Sequence, residues 1–516
     1  MFTKRFCAVL LMALSLIAVA NESANKDLYL SDELLNLSIH FHFRNQLAWD
    51  SNWPVAKEIE ALTNVRLTSV IPPIKEDSRL LFNEMMLSGK LPDVVGGDGL
   101  KEDFNKFGMQ GKLIPLNTLI DRYAPNIKRV LSQKPIVRSS ITAPDGNIYY
   151  IPYIPSGIAG RGYFIRQDWL DTLGLATPTN VSELHDVLVA FRDRDPNQNG
   201  LRDEIPYFNR HPEEVIRLVN FFGARSTGSD KYHDFVVQDG AVSHPYVKDE
   251  FRYGIEQVAK WYEEKLIDPQ IFTRGGSART ELLSADVGGM THDWFASTAG
   301  YNDTLTDTIP NFKLYPFLPP EDINGNVMEE HGRALVKPDG WAITSSNQHA
   351  IATIKYFDFY FSELGRIISN FGVKGQTFDI FMAEPRFKRS VLNSDKSVLN
   401  QMLAIGAQIP IGFYQDYNYE RQWTNPIAMR GIDAYAGREI IQEPFPGLTL
   451  TITEKDIYDR YWPPIESYMV TNIENWITGK SDVNVDWPRY LSTLKEMNFD
   501  QVLDVMNSAY QRQYQP

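Results

Sequence analysis

Ten residues, Asp195-Pro-Asn-Gln-Asn-Gly-Leu-Arg-Asp-Glu204, set oxygen-bearing side chains at every second position around a glycine. Such spacing lets a short loop wrap a hard cation. Asp195, Asn197 and Asn199 stand at loop positions one, three and five, Gly200 at six permits a sharp turn, and Leu201 at seven offers its backbone carbonyl. Asp203 follows at nine. An EF-hand would place a bidentate Glu at twelve, where this chain has Pro206, so Glu204 at ten is the acid expected to close the shell. Three carboxylates in so short a stretch repel one another unless a cation neutralises them, and all-oxygen, flexible ligation favours Ca²⁺ over Mg²⁺ or Zn²⁺. The alternative is an Asn/Gly-rich turn whose acids face water.

The elements around the loop decide between a sensor and a clip. One helix is predicted before it, Val181 to Phe191, with Leu184, Val187, Leu188 and Phe191 at helical spacing and Ser182 as its N-cap. After it comes Ile205-Pro206-Tyr207, a poor helix start, and no second loop of this kind exists in the chain. Sensors pair two helix-loop-helix units, so the reading here is a structural calcium clip on a larger domain.

The first twenty residues read as an address. Lys4 and Arg5 precede the apolar run Phe6 to Ile17, and Ala18-Val19-Ala20 fits a cleavage site, so residues 1–20 are expected to be a signal peptide. Cys7, the single cysteine, falls inside that run, which leaves the mature chain without thiols, disulfides or a lipid-bearing cysteine. No later apolar run reaches the roughly 20 residues that span a bilayer. Export without an anchor points to a Gram-negative periplasm.

Composition narrows the partners. About 496 residues remain after cleavage, too many for one core, so two or more domains are expected. The formal charge of −14 becomes −16 once Lys4 and Arg5 leave, which disfavours nucleic acid and anionic membranes. A local basic pocket for a small anion remains compatible, because screening acts over about 10 Å.

Chain order supplies the fold class. Leu35, Leu37, Ile39, Phe41 and Phe43 alternate with Asn36, Ser38, His40 and His42, which predicts a strand. A helix from Pro54 to Leu62, a strand at Val65 to Ile71, a helix from Asp77 to Leu87 and a strand at Leu91 to Val95 follow. This β-α-β-α-β series implies an α/β fold with a largely parallel sheet, whose ligand crevice lies beyond the strands' carboxyl ends. Gly96-Gly97-Asp98-Gly99 occupies one such end, either for close approach of a ligand or as an ordinary turn.

Several separated blocks carry a family resemblance along the whole chain. Leu91-Pro-Asp-Val-Val95, Gly111-Lys-Leu-Ile-Pro-Leu116, Tyr123-Ala-Pro-Asn-Ile127, Asp145-Gly-Asn-Ile-Tyr149, Ile151-Pro-Tyr153 and Tyr163-Phe-Ile-Arg-Gln-Asp-Trp169 resemble the extracellular solute-binding proteins of sugar ABC importers. The calcium loop, Thr291-His-Asp-Trp-Phe-Ala296, Lys337-Pro-Asp-Gly-Trp341, Gln408-Ile-Pro-Ile-Gly-Phe413 and Tyr419-Glu-Arg-Gln-Trp423 are similar to the periplasmic alginate-binding proteins and their glycosaminoglycan-oligosaccharide-binding relatives. That resemblance implies a two-lobe periplasmic binding protein fold, a ligand cleft between the lobes and a hinge of crossing segments that closes on ligand. It also implies that the calcium loop lies away from the sugar.

Residues 21–151 plus about 321–375 would form the N-terminal lobe, and about 152–320 plus about 376–516 the C-terminal one. Tyr149 to Pro155 and Tyr315 to Pro320, both apolar and proline-marked, are the expected crossings, and the segment around Trp341 with a helix from Ile351 to Phe361 would return to the first lobe. The resemblance implies Tyr153, Trp294 and Trp423 as stacking platforms for sugar rings, with Glu420 and Arg421 as polar partners. Their placement adds Arg161 and Asp293. Arg suits a uronate because its fork pairs a carboxylate bidentately, and the basic candidates are Arg44, Arg161, Lys337 and Arg421. Each of these has a structural alternative, as a core indole or an ordinary salt bridge.

One departure concerns specificity. Where the alginate-binding proteins carry a lysine shortly after the His-Phe-Arg of the first strand, this chain has Gln46. An ammonium attractive to uronate is replaced by a neutral hydrogen-bonding group, which brings a different anionic or partly neutral oligosaccharide into view. The expected role is a monomeric, non-enzymatic periplasmic carrier for an acidic oligosaccharide that delivers to an ABC permease in the inner membrane. Competing readings are a secreted glycosidase or lyase, a calcium-dependent adhesin, and a metal held by His40 and His42. No carboxylate pair, hydrolase elbow, metalloprotease helix or phosphate loop marks an enzyme, and no repeats mark an adhesin.

Overall fold

The structure, a computed structural model, describes residues 28–43, 47–71, 78–227 and 235–515. They form two compact α/β units. The first comprises the described residues up to Ser156 and those from Leu335 to Trp423; the second comprises Gly157 to Ala334 and the residues from Thr424 on.

Alternation places the first strand. β1 (Leu35–Phe43) buries Leu37, Ile39 and Phe41 completely. β2 (Leu47–Ala48) folds back on it antiparallel, while β3 (Val65–Ser69) and β4 (Val94–Gly97) run parallel to it. The helix Pro54–Thr63 is bounded by its N-terminal proline and by Asn64 at φ 55, and helix Ser78–Ser88 makes the second crossover. Asp93 ties β4 to β1, accepting from Ser38 N at 2.8 Å and Ser38 Oγ at 2.6 Å.

A late strand, Gly340–Ile343, then inserts antiparallel between β4 and β5 (Ile151–Pro152). The sheet is therefore mixed, with its parallel part where the β-α-β-α-β reading put it. Helices cover both faces, so the polar side of β1 is buried as well: His40 is 1% exposed and lies 6.0 Å from the Phe82 ring. That packing replaces the metal reading for His40; the His42 side chain lies outside the described residues. Of the glycine run, Gly96 and Gly97 lie within β4, paired with Trp341 and Gly340, and only Asp98-Gly99 bends away, Gly99 N donating to Asp339 Oδ1 at 3.0 Å.

In the second unit β6 (Arg161–Arg166) pairs antiparallel with β8 (Gly288–Trp294) and with β9 (Leu314–Phe317), and β7 (Ile205–Tyr207) runs parallel to β8. Every residue of β6 is buried. The terminal helices Ile452–Ile477, Val483–Glu496 and Phe499–Tyr514 send Trp462, Trp476, Trp487 and Tyr490 into this unit's core. A capping box of Thr451 and Glu454 starts the first of them, and Arg512 on the last binds Glu454 through two bonds of 2.7 and 2.8 Å. Among the described residues no helix is long and apolar enough to cross a membrane.

The unit boundaries differ from those expected. Tyr149 to Pro155 is core rather than crossing, since Tyr149, Tyr150 and Ile151 are buried and Ile154 N donates to Phe413 O at 2.9 Å. Tyr315 and Phe317 belong to β9; a proline-marked apolar run was a strand, not a connector. Residues 321–334 stay with the second unit, where Glu321 N donates to Thr179 O. Residues 376–423 belong to the first, because Phe378, Phe387, Met402, Ile409, Ile411, Phe413 and Tyr419 fill its core. Gly412, at φ 50, is required there, since a Cβ would lie 2.3 Å from Trp341 Nε1.

Candidate functional site

The oxygen-rich loop hangs between helix Val181–Asp193 and β7. Its helix is capped by Asn180, whose side chain accepts from Glu183 N at 3.0 Å, and not by Ser182, which lies one residue inside. Within the loop Asp195 accepts from the backbone of Asn199 and Gly200, each at 3.0 Å, and Asn199 Oδ1 accepts from Leu201 N at 2.7 Å. Asp195, Gln198 and Gly200 take positive φ, which curls the backbone inward. Two bonds fasten the loop to the start of β8: Asn197 Nδ2 to Asp286 O at 2.9 Å and Ile205 N to Val287 O at 2.8 Å.

Among the described residues no three His, Cys, Asp or Glu side chains are gathered as a metal cluster, and this loop's candidate donors are three carboxylates, two carboxamides and one backbone carbonyl. Glu204 supplies the test of fit. It is 8% exposed, and both carboxylate oxygens are buried without accepting a hydrogen bond. Burial, with the charges of Asp195 and Asp203 adding to it, raises its carboxyl above the ordinary value. An acid left so unsatisfied fits a cation held with Asp195, Asn197, Asn199, the Leu201 carbonyl and Asp203.

Trp294 ends β8 and exposes 38% of its surface. Three neighbours hold the indole: the Arg161 guanidinium over its ring at 4.6 Å, His331 against it edge-on at 5.3 Å, and the backbone of Gly160, whose Cβ would approach within 3.1 Å. Arg161 is itself buried and bonds Glu214 through Nη1 at 2.6 Å. Asp293 is fully buried and bonds Arg210 and Arg279. Arg161, the cross-strand partner of Trp294, thus lies against the indole, while Asp293 accepts from Trp294 N at 2.7 Å, and both side chains are held in buried ion pairs of the second unit.

Behind them lies a polar network that no local pattern announced. Arg217 faces Glu329 at 3.4 Å, His292 Nε2 meets Glu329 at 3.0 Å, and His331 N donates to Glu329 Oε1 at 2.8 Å. Burial, then the charges of Arg217 and Arg161, push His331 down to about 3 and His292 well below its ordinary value. Burial raises Glu214 and Glu329 despite those same arginines.

The pH consequence has a definite sign. Below about 6.5 the unfolded chain binds protons at both histidines that the folded chain refuses, so stability falls as pH drops through that value. Glu214 and Glu329 act oppositely, protonating in the fold before they would in the unfolded chain, and offset part of the loss at the acid end. Between pH 7.5 and 5.5 each histidine is expected to contribute roughly 1 kcal/mol of destabilisation. Melting curves of the protein and of His331→Phe check this: the variant should show the shallower pH slope, and equal slopes would mean that His331 titrates normally.

The first unit gathers its own candidates. Tyr153 is half-buried and stacks on Phe413 at 5.0 Å and 15°. Its N donates to Asp339 O and its O accepts from Lys337 N, both at 2.9 Å, which draws Lys337 to the same patch. Helix Tyr417–Arg421 carries Glu420, which accepts from Gln415 Nε2 at 3.4 Å, and the exposed Arg421, 5.9 Å from the Tyr417 ring. Trp423 follows, edge-on to Tyr419 at 5.7 Å, with its N donating to Glu420 O at 3.2 Å. Arg44 and Gln46 lie outside the described residues.

Comparison with known proteins places these features. No family model matches the chain. The crystal structure of an alginate-binding protein, AlgQ2, without calcium ion is 51% identical, with the match covering 94% of this chain and 99% of that one at a TM-score of 0.75. The fructooligosaccharide ABC transporter substrate-binding protein FusA of Streptococcus pneumoniae serotype 4 is 26% identical over 455 residues, 83% of this chain and 81% of that protein. A polygalacturonan/rhamnogalacturonan-binding protein, YtcQ of Bacillus subtilis (strain 168), is 33% identical over 159 residues, 30% of each chain.

Proposed function

The chain belongs to the solute-binding proteins of sugar ABC importers, among the alginate-binding proteins, and on that premise we propose that it is a periplasmic carrier of an acidic, uronate-containing oligosaccharide. The observation that carries this reading is the 51% identity to an alginate-binding protein along nearly the whole length of both chains. Trp294, in the second unit, offers an aromatic face to the apolar side of a sugar ring. In the first unit Tyr153 and Trp423 do the same, while Glu420, Arg421, Lys337 and Gln46 provide hydrogen bonds and charge for hydroxyls and carboxylates.

A carrier needs no covalent step. The ligand is held by stacking and hydrogen bonds, then released to an ABC permease in the inner membrane by a protein acting as a monomer, exported by means of residues 1–20. Ca²⁺ belongs in the same proposal, held by Asp195, Asn197, Asn199, the Leu201 carbonyl, Asp203 and Glu204. The bound ion would neutralise the loop's carboxylates and fasten it to β8. Support comes from the orphaned Glu204 oxygens and from the calcium ion named for the alginate-binding protein.

A second reading, a neutral oligosaccharide, is favoured by the fructooligosaccharide-binding relative and by Gln46. Tryptophan-fluorescence titration of the mature protein, calcium present, separates the two. Oligosaccharides of alginate, unsaturated chondroitin, pectin, and a neutral glucan are compared, and each sugar is recovered afterwards. Saturable binding to an acidic series with unchanged sugar supports the carrier; binding to the neutral glucan alone overturns the substrate class, and conversion of the sugar overturns the carrier.

A further inference from the structure

One buried carboxylate lies behind the elements that hold the Trp294 indole. The backbone of Glu329 is fixed from both sides, its N donating to Ile440 O and its O accepting from Gln442 N, each at 2.8 Å. From that anchored position Oε1 accepts from His331 N at 2.8 Å and Oε2 meets His292 Nε2 at 3.0 Å, with Arg217 Nη1 at 3.4 Å from Oε1. His292 lies on β8 two residues before Trp294 and is fully buried. His331 turns its ring edge-on to the indole itself. A single carboxylate therefore ties the strand that carries the indole to the segment that abuts it.

That segment is fastened on its other side as well. Gly332 bridges to Ala159, and Arg333 N donates to Ile158 O at 3.0 Å, next to Gly160, which also borders the indole. Charges are costly to bury: desolvation of Arg217 and Glu329 cancels much of their mutual attraction, and apolar side chains of similar volume would serve stability as well. What a carboxylate supplies, and an apolar side chain does not, is a fixed direction for each group bonded to it.

We propose that His331 and Glu329 are positioning residues of the Trp294 platform, which act on oligosaccharide affinity through the indole and not by touching the sugar. This rests on the carrier reading above. An indole already set in place needs no ordering when the ligand binds, whereas one free to turn loses that freedom at the expense of affinity.

A double-mutant cycle separates action through the indole from any other route. The readout is calorimetric titration of the mature, calcium-loaded protein with an alginate trisaccharide, alongside a melting curve for each variant. His331→Ala is expected to lower affinity about fivefold and Glu329→Gln about threefold, while His331→Phe, which keeps a ring edge against the indole, stays within about twofold. In a Trp294→Ala background the two losses should shrink to less than about 1.5-fold. Should Glu329→Gln fail to fold, the His331 cycle decides. Should Trp294→Ala bind too weakly to titrate, acrylamide quenching of Trp294, taken as the difference between proteins with and without that residue, decides: it should rise in His331→Ala and return in His331→Phe. Unchanged affinity in His331→Ala, an equal loss in the Trp294→Ala background, or unchanged quenching overturns the positioning role alone. No saturable binding of the trisaccharide by the unaltered protein overturns the acidic-carrier reading and the positioning role together.

Discussion

Trp294→Ala is expected to weaken oligosaccharide binding by roughly 30-fold, about 2 kcal/mol, with little change in melting temperature. The indole ends a strand whose other residues are buried, and it alone of that strand is exposed, so its removal takes contact area from a ligand and little from the core. Its orientation is determined by Arg161, His331 and Gly160, which means that the free protein already holds the face a sugar would use. Preorganisation of this kind spares the ordering entropy that binding would otherwise cost. Calorimetry, which does not depend on the deleted fluorophore, measures the affinity, and a melting curve verifies the fold. Affinity within twofold of the unaltered protein would remove Trp294 from the binding surface.

Chelating calcium is expected to lower the melting temperature by about 6 °C while changing oligosaccharide affinity far less. A ligand present at a hundred times its dissociation constant stabilises by about 2.7 kcal/mol, and a unit of this size shifts by roughly 2 °C or more per kcal/mol. The location of the loop explains why binding should be spared. It is anchored to Asp286 and Val287, at the start of β8, whereas Trp294 ends that strand about 20 Å further along at about 3.3 Å per residue. Glu204→Gln should lose most of the chelator-sensitive part of the melting temperature, because it removes the acid whose oxygens have no other partner. Melting curves and titrations with and without chelator, on both proteins, decide the matter. An equal collapse of affinity in a protein that remains folded would tie the ion to the sugar.

Legibility varied with the range of the interaction that defined each feature. Helix Val181–Asp193 was read from its apolar spacing, yet its cap was misplaced by two residues, since Asn180 and Ser182 have equally good capping side chains and only the backbone path selects one. Tyr315 to Pro320 was taken for a crossing because it is apolar and proline-marked; pairing of β9 with β6 places its first residues in a strand. Asp293 and Arg161 were added from their placement near Trp294; the structure buries both, Arg161 as the cross-strand partner lying over the indole and Asp293 as the preceding residue of the strand. A charged residue next to an exposed indole in sequence points to the opposite face of the strand, and that face is buried here.

Whatever depends on a few consecutive residues was determined by the sequence alone: the oxygen ladder from Asp195 to Glu204, the alternation of β1, the parallel start of the first sheet, and the motif blocks that identify a sugar importer's binding protein. Tertiary structure alone decided what depends on residues remote in the chain. It sent residues 376–423 to the first unit, assembled Arg161, Arg210, Glu214, Arg217, Arg279, Asp293 and Glu329 from four separate segments, and left Glu204 buried without a partner. The physical reason is that backbone preference and apolar period act over a few residues. The energy of a buried charge is set by whatever the fold packs within a few ångströms of it, and sequence spacing carries no record of that.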